Sequence, residues 1–99
     1  MTEKEKLLSK ELIVASEIYR LSEIDNEEVY FSKLVEILSK DGRASSATIN
    51  KSMDILFDLG MIYAEWGKLK NGRWARVIRI AGESKEFIKG IYKEIYENK

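Results

Sequence analysis

Between Lys4 and Leu21, the apolar residues Leu7, Leu8, Leu12, Ala15, Ile18, Tyr19 and Leu21 recur at steps of three and four. That spacing predicts an amphipathic helix with a wide buried stripe. Asp25-Asn26 reads as a break, after which Val29-Tyr30-Phe31 suits a short strand, with Ser32 capping the next helix. This second helix is expected from about Lys33 to Ser39, burying Leu34, Ile37 and Leu38, and Asp41-Gly42-Arg43 ends it in a turn. Ser45 and Ser46 are adjacent cap candidates for a third helix reaching about Leu59. Its buried face is Ile49, Met53, Leu56 and Phe57, and Gly60 stands where a C-terminal cap belongs.

Then the period changes. Met61–Trp66 and Trp74–Ile80 are rich in β-branched and aromatic residues, and the segment between them contains Asn71-Gly72. Both of those residues tolerate the positive φ of a type I′ turn, so a hairpin is expected. Gly82-Glu83-Ser84 starts a last helix carrying Phe87, Ile88, Ile91, Tyr92, Ile95 and Tyr96 along one side. The order is helix, short strand, helix, helix, hairpin, helix. An α+β, mostly helical single domain over 1–99 is expected: an N-terminal helix (about 1–24), two helices (29–60), a hairpin (61–80) and a C-terminal helix (83–98).

The chain contains no Cys and no His. Thiol nucleophiles, disulfides, imidazole bases and the usual zinc or haem ligands are thereby excluded. No carboxylate pair is placed convincingly for catalysis, so neither enzymatic activity nor a cofactor is expected, and no small-molecule ligand is identifiable. With no long apolar run and no secretory signal pattern, a cytoplasmic protein without membrane association is expected. Lys and Glu dominate the 34% charged fraction, and Pro is absent, a thermophile-like bias.

Net charge is zero, but it is unevenly distributed. Residues 1–28 hold eight acids and four bases, whereas residues 40–80 hold eight bases and four acids. Lys68, Lys70, Arg73, Arg76 and Arg79 fall in a stretch, 66–80, that contains no acid. Such a local concentration of cations attracts a phosphate backbone whatever the charge elsewhere.

Two helices followed at once by a cationic hairpin have the order of a winged helix-turn-helix. The run Ser45-Ser46-Ala47-Thr48-Ile49-Asn50-Lys51-Ser52-Met53-Asp54-Ile55-Leu56-Phe57-Asp58-Leu59-Gly60-Met61-Ile62 resembles the recognition helix of MarR- and PadR-type winged helix regulators. Asn71-Gly72-Arg73-Trp74 and Val77-Ile78-Arg79-Ile80 are similar to the wing tip and return strand. The resemblance covers residues 29–82 or so and implies a transcriptional regulator of archaeal or viral type that binds double-stranded DNA.

Carried over by position from the resemblance, Ser45, Ser46, Thr48, Asn50 and Lys51 are expected to contact DNA from the major groove, with Ser45 or Ser46 also acting as the cap. Asp54 and Asp58 repel phosphate, so the groove-facing region is expected to end near Lys51. On the wing, Lys68, Lys70, Asn71, Arg73 and Arg76 are the expected contacts. Arg76 and Arg79 also have Glu65 or the acids of the first helix as candidate partners. Trp66 is expected in the core or an interface, and Trp74 on its own sheet. The apolar side of the last helix, with the first, suggests a homodimer through Leu8, Leu12, Ile88, Ile91, Tyr92 and Ile95. Two other readings stand beside this one: a non-specific architectural DNA-binding protein, and a winged helix protein-interaction module.

Overall fold

The first helix, α1 (Lys10–Tyr19), occupies the middle of the molecule. Ile13 to Tyr19 are seven consecutive buried residues, so no side of this stretch faces water. The computed structural model describes residues 9–97; the predicted first turns at Lys4–Leu8 lie outside them. The stripe expected from the periodicity is therefore too narrow a description. The helices Ser46–Asp58 and Lys85–Tyr96 both pack on α1, so even Ser16 and Glu17 are covered. At its end α1 widens into a π-helical turn over Arg20–Ile24, and the chain reverses at Asn26 with φ 54°. Asn is one of the few L-residues that tolerate this left-handed backbone.

Helix α2 spans Phe31–Lys40 and begins before the predicted Ser32 cap. The Tyr30 carbonyl already accepts from Lys33 N and Leu34 N, both at 3.1 Å. The expected strand at Val29–Phe31 is consequently reduced to a single link, Ile78 N donating to Val29 O at 2.8 Å. Gly42, at φ 69°, ends the helix, and Arg43 N donates back to Leu38 O at 2.9 Å.

Helix α3 runs Ser46–Asp58 and buries Ile49, Ser52, Met53 and Leu56. Of the two cap candidates, Ser45 takes the role: its Oγ accepts from Thr48 N at 3.2 Å. Strands β1 (Ile62–Lys68) and β2 (Trp74–Ile80) follow as an antiparallel pair, with Ile62 opposite Ile80 and Lys68 opposite Trp74. The connection differs from a two-residue type I′ turn. Gly72 N donates to Leu69 O at 2.9 Å, and only Gly72 has positive φ (89°). Asn71 instead accepts from Arg73 N through its side chain, at 2.9 Å. A short 3₁₀ turn, Gly82–Ser84, leads into α4 (Lys85–Tyr96).

The core gathers Ile18, Leu34, Leu38, Ile49, Leu56 and Ile88 around α1. Among the described residues no helix is long and apolar enough to cross a membrane.

A buried polar network crosses this core. Glu17 accepts from Arg20, from Arg43 Nη1 at 3.1 Å and from the Tyr96 hydroxyl at 2.5 Å. Arg43 also donates to Tyr96 at 2.7 Å. Burial by itself raises the Glu17 carboxyl, but bonds from Arg20 and Tyr96 and the charges of Arg20 and Arg43 outweigh it and hold the group below its usual value. Burial and the Glu17 carboxylate push the Tyr96 hydroxyl upward.

Candidate nucleic-acid interface

The start of α3 presents a polar, solvent-facing surface. Ser46, Ala47, Asn50 and Lys51 are exposed, whereas Thr48 is half-buried. Because Ser45 Oγ is engaged by Thr48 N and lies 3.0 Å from Thr48 Oγ1, both hydroxyls are tied into the cap. That leaves Ser46, Asn50 and Lys51 as the side chains that project freely. Thr48 and Lys51 also line a groove of about 280 Å³ against Lys10 and Glu11 of α1. Asp54 and Asp58 are exposed on the later turns, as the spacing predicts.

The wing carries the cations outward. Lys68, Lys70, Arg73, Arg76 and Arg79 are all exposed. Arg79 is neutralised by Glu65, Nε to Oε2 at 3.2 Å. Arg76 takes neither predicted carboxylate and lies over the Phe57 ring of α3, 5.8 Å from its centroid. Among the described residues, none of Lys68, Lys70 and Arg73 is held in an ion pair. Asn71 is exposed at the tip, where its side chain braces the turn.

The hairpin is covered on opposite faces at its two ends. Near the base, Ile62, Ile78 and Ile80 turn into the core. Nearer the tip the other face is the covered one, with Val77 and Leu69 buried and Gly67 and Ala75 half-buried. Gly67 suits this position because a Cβ there would meet Val77 Cγ2 at 3.3 Å. Leu69 adjoins Tyr30 and Ser32 at the start of α2, and Lys70 N donates to Glu28 Oε1 at 3.0 Å. The tip is thus pinned to the body. As a consequence Trp66 and Trp74 are turned out to solvent, 70% and 65% exposed. Trp66 is not in the protomer core, and Trp74 is not covered by its own sheet.

The residues expected at a subunit interface are largely used within the chain. Ile88 and Ile95 are fully buried in the protomer's own interior and are unavailable to a second copy. Tyr92 sits between Tyr19 (5.2 Å) and Tyr96 (5.0 Å). The apolar side of α4 is received by α1, so the width of that side does not require a dimer. Leu12 and Ile91 are half-buried, and Leu8 lies outside the described residues.

What the sequence reading missed is the Glu17–Arg43–Tyr96 network. In the sequence Arg43 belongs to a turn motif and Tyr96 to an apolar face. One signal was present: a lone Glu17 inside the apolar run from Leu12 to Tyr19.

No protein-family model matches the chain, and no curated protein matches it in sequence. Solved structures do match its shape. SSV1 F-93 superposes with a TM-score of 0.69 at 19% identity, covering 92% of this chain and 90% of that one. The circadian clock associated protein Pex from Anabaena gives 0.67 at 20% identity, covering 99% and 94%. A PadR-like transcription factor from Bacteroides fragilis gives 0.59 at 16% identity, covering 98% and 95%. The fold is a winged helix. It is shared along nearly the whole length of a PadR-like factor and keeps the expected additional C-terminal helix.

Proposed function

We propose that this chain is a non-enzymatic transcriptional regulator that binds double-stranded DNA in a sequence-specific manner. α3 enters the major groove, and the wing lies on the backbone or the adjacent minor groove. One observation carries the reading: an exposed polar start of α3 and a wing whose Lys68, Lys70 and Arg73 are in no ion pair among the described residues, set beside the end of α3 by the Arg76–Phe57 contact. The PadR-like transcription factor that shares the fold supports it.

Within this reading Asn50 reads a base edge, while Ser46 and Lys51 hold phosphate. Thr48 supports them from the cap. Selection of bound fragments from random DNA at two salt concentrations tests the proposal. A recurring site at both salts is expected; recovery without any shared sequence favours an architectural protein, and recovery of nothing overturns DNA binding.

On the selected site, Asn50→Ala is expected to cost about 1–3 kcal/mol and to relax discrimination at one base position. Lys51→Ala weakens all sequences alike and lowers the salt slope by about 0.9. Binding isotherms on the site and its single-base variants separate the two.

A homodimer is part of the proposal, through the outer edge of α4 rather than its buried side. The Glu23–Lys85 ion pair (2.7 Å) brings the end of the π turn to the start of α4. Ile24 and Phe87, 53% and 55% exposed, stand close to it in the chain. Sedimentation at micromolar concentration is expected to give a dimer mass, and Phe87→Glu a monomer. A clean monomer for the unaltered chain overturns this part.

A further inference from the structure

Both tryptophans of the chain stand on the wing, and both are in water. The strand register places Trp66 directly across from Arg76, and Lys68 directly across from Trp74. Opposed residues of an antiparallel pair share a face, as do residues two apart on one strand. Trp66, Lys68, Trp74 and Arg76 therefore form one block in which each indole lies diagonal to the other, with a cation beside it. Neither ring has an aromatic or hydrogen-bonded partner among the described residues.

The body of the protein cannot take up these rings. Near the tip the opposite face of the hairpin is the covered one, through Leu69 and Val77. The exposed face is instead turned toward α3, where Arg76 lies over Phe57. The face thus adjoins the last turn of α3 and presents two flat π-surfaces and two cations, in a stretch of sequence, 66–80, that holds no carboxylate. The matching ligand is flat and carries negative charge at short intervals, as nucleobases on a phosphate backbone do.

Resting on the DNA-binding reading above, we infer that this face is a stacking site for nucleobases, with Trp66 and Trp74 as base-contacting residues. In an intact duplex the faces of the bases are covered by their neighbours. The indoles therefore engage where a step is unstacked, as at flexible pyrimidine–purine steps or at unpaired bases. This adds a preference for deformable DNA to whatever α3 reads, and it is separate from the phosphate contacts of Lys68, Lys70 and Arg73.

Because no tryptophan lies elsewhere, tryptophan emission, excited beyond the absorption of the five tyrosines, reports on this face alone. Three probes suffice: a fully paired duplex, the same duplex with a short mismatched bubble, and oligo(dT). Binding is followed by anisotropy of a labelled strand, and emission is followed in parallel with unlabelled DNA. Quenching on binding is expected, with the bubble held roughly tenfold more tightly than the paired duplex. The Trp66→Leu/Trp74→Leu double variant, checked for unchanged helix content by circular dichroism, is expected to lose that preference. It should still bind the paired duplex within about threefold, since its cations remain.

Binding by anisotropy with unchanged emission and no bubble preference overturns the stacking site while leaving DNA binding intact. An emission shift that follows protein concentration without DNA assigns the face to protein contacts and overturns it too. Failure of all three DNAs to bind overturns the DNA reading itself, and this inference with it.

Discussion

Replacing Lys68, Lys70 and Arg73 together by Ala is expected to lower DNA affinity about a hundredfold near physiological salt. Each cation that neutralises a phosphate releases a counterion, and each release contributes about 0.9 to the slope of log K against log salt. Losing three such contacts flattens the slope by about 2.7. All three side chains are exposed and none is held in an ion pair among the described residues, so their loss should leave the melting temperature nearly unchanged. Isotherms at three or four salt concentrations provide both numbers. Unchanged affinity would remove the wing from the interface. A large loss with an unchanged slope would point to distortion of the tip rather than lost phosphate contacts.

A different kind of loss is expected at the buried network. Arg43→Ala leaves the Glu17 carboxylate in the interior without the guanidinium that now donates to it at 3.1 Å. Removing one partner of a buried pair costs about 3–5 kcal/mol, more than the net worth of the pair, because the remaining charge stays desolvated. At about 4–8 °C per kcal/mol for a domain this size, the melting temperature should fall by at least about 12 °C. Differential scanning calorimetry checks this; a shift of only a few degrees would mean that Arg20 and Tyr96 satisfy Glu17 alone.

The same carboxyl has a pH signature. Its folded value is depressed, so its contribution is fully present above the ordinary value of 4.5 and is lost as pH falls through the lower folded value. The unaltered chain should therefore lose stability as pH falls below about 4.5. Glu17→Gln, lower in stability at neutral pH, should show a flatter acid limb.

The parts of the fold that were legible in the sequence are those governed by local rules. Gly60 at φ 72°, Ser45 as a cap and the apolar spacing of α3 each depend on neighbours within one or two turns. The parts that were not legible depend on partners far along the chain. Whether Val29–Phe31 is a strand is decided by the Tyr30 carbonyl, which α2 claims before β2 can use it. The network joins Glu17 to residues 26 and 79 positions away, and no spacing rule connects them. The exposure of the tryptophans escapes the sequence for a third reason. Alternation tells which residues share a face, but not that the covered face changes halfway along a twisted hairpin.

The candidate site divides in the same manner. The distribution of charge along the chain points to the cationic stretch, and the resemblance, with their place off the buried face of α3, points to Asn50 and Lys51. Only three-dimensional packing distinguishes Arg79, neutralised by Glu65, from Lys68, Lys70 and Arg73, which are in no ion pair among the described residues.

The anchoring of the hairpin end, through Leu69 and the Glu28–Lys70 bond, has a mechanical consequence. A loop that is already ordered loses little freedom on association, so more of each contact's strength survives as affinity. Rigidity also shifts the burden of adjustment onto the partner. Under the proposed binding mode, with the distance between ribbon and helix fixed, the double helix is expected to adjust by widening, bending or twisting to satisfy both at once. Sequences that deform cheaply will then be favoured at positions no side chain touches.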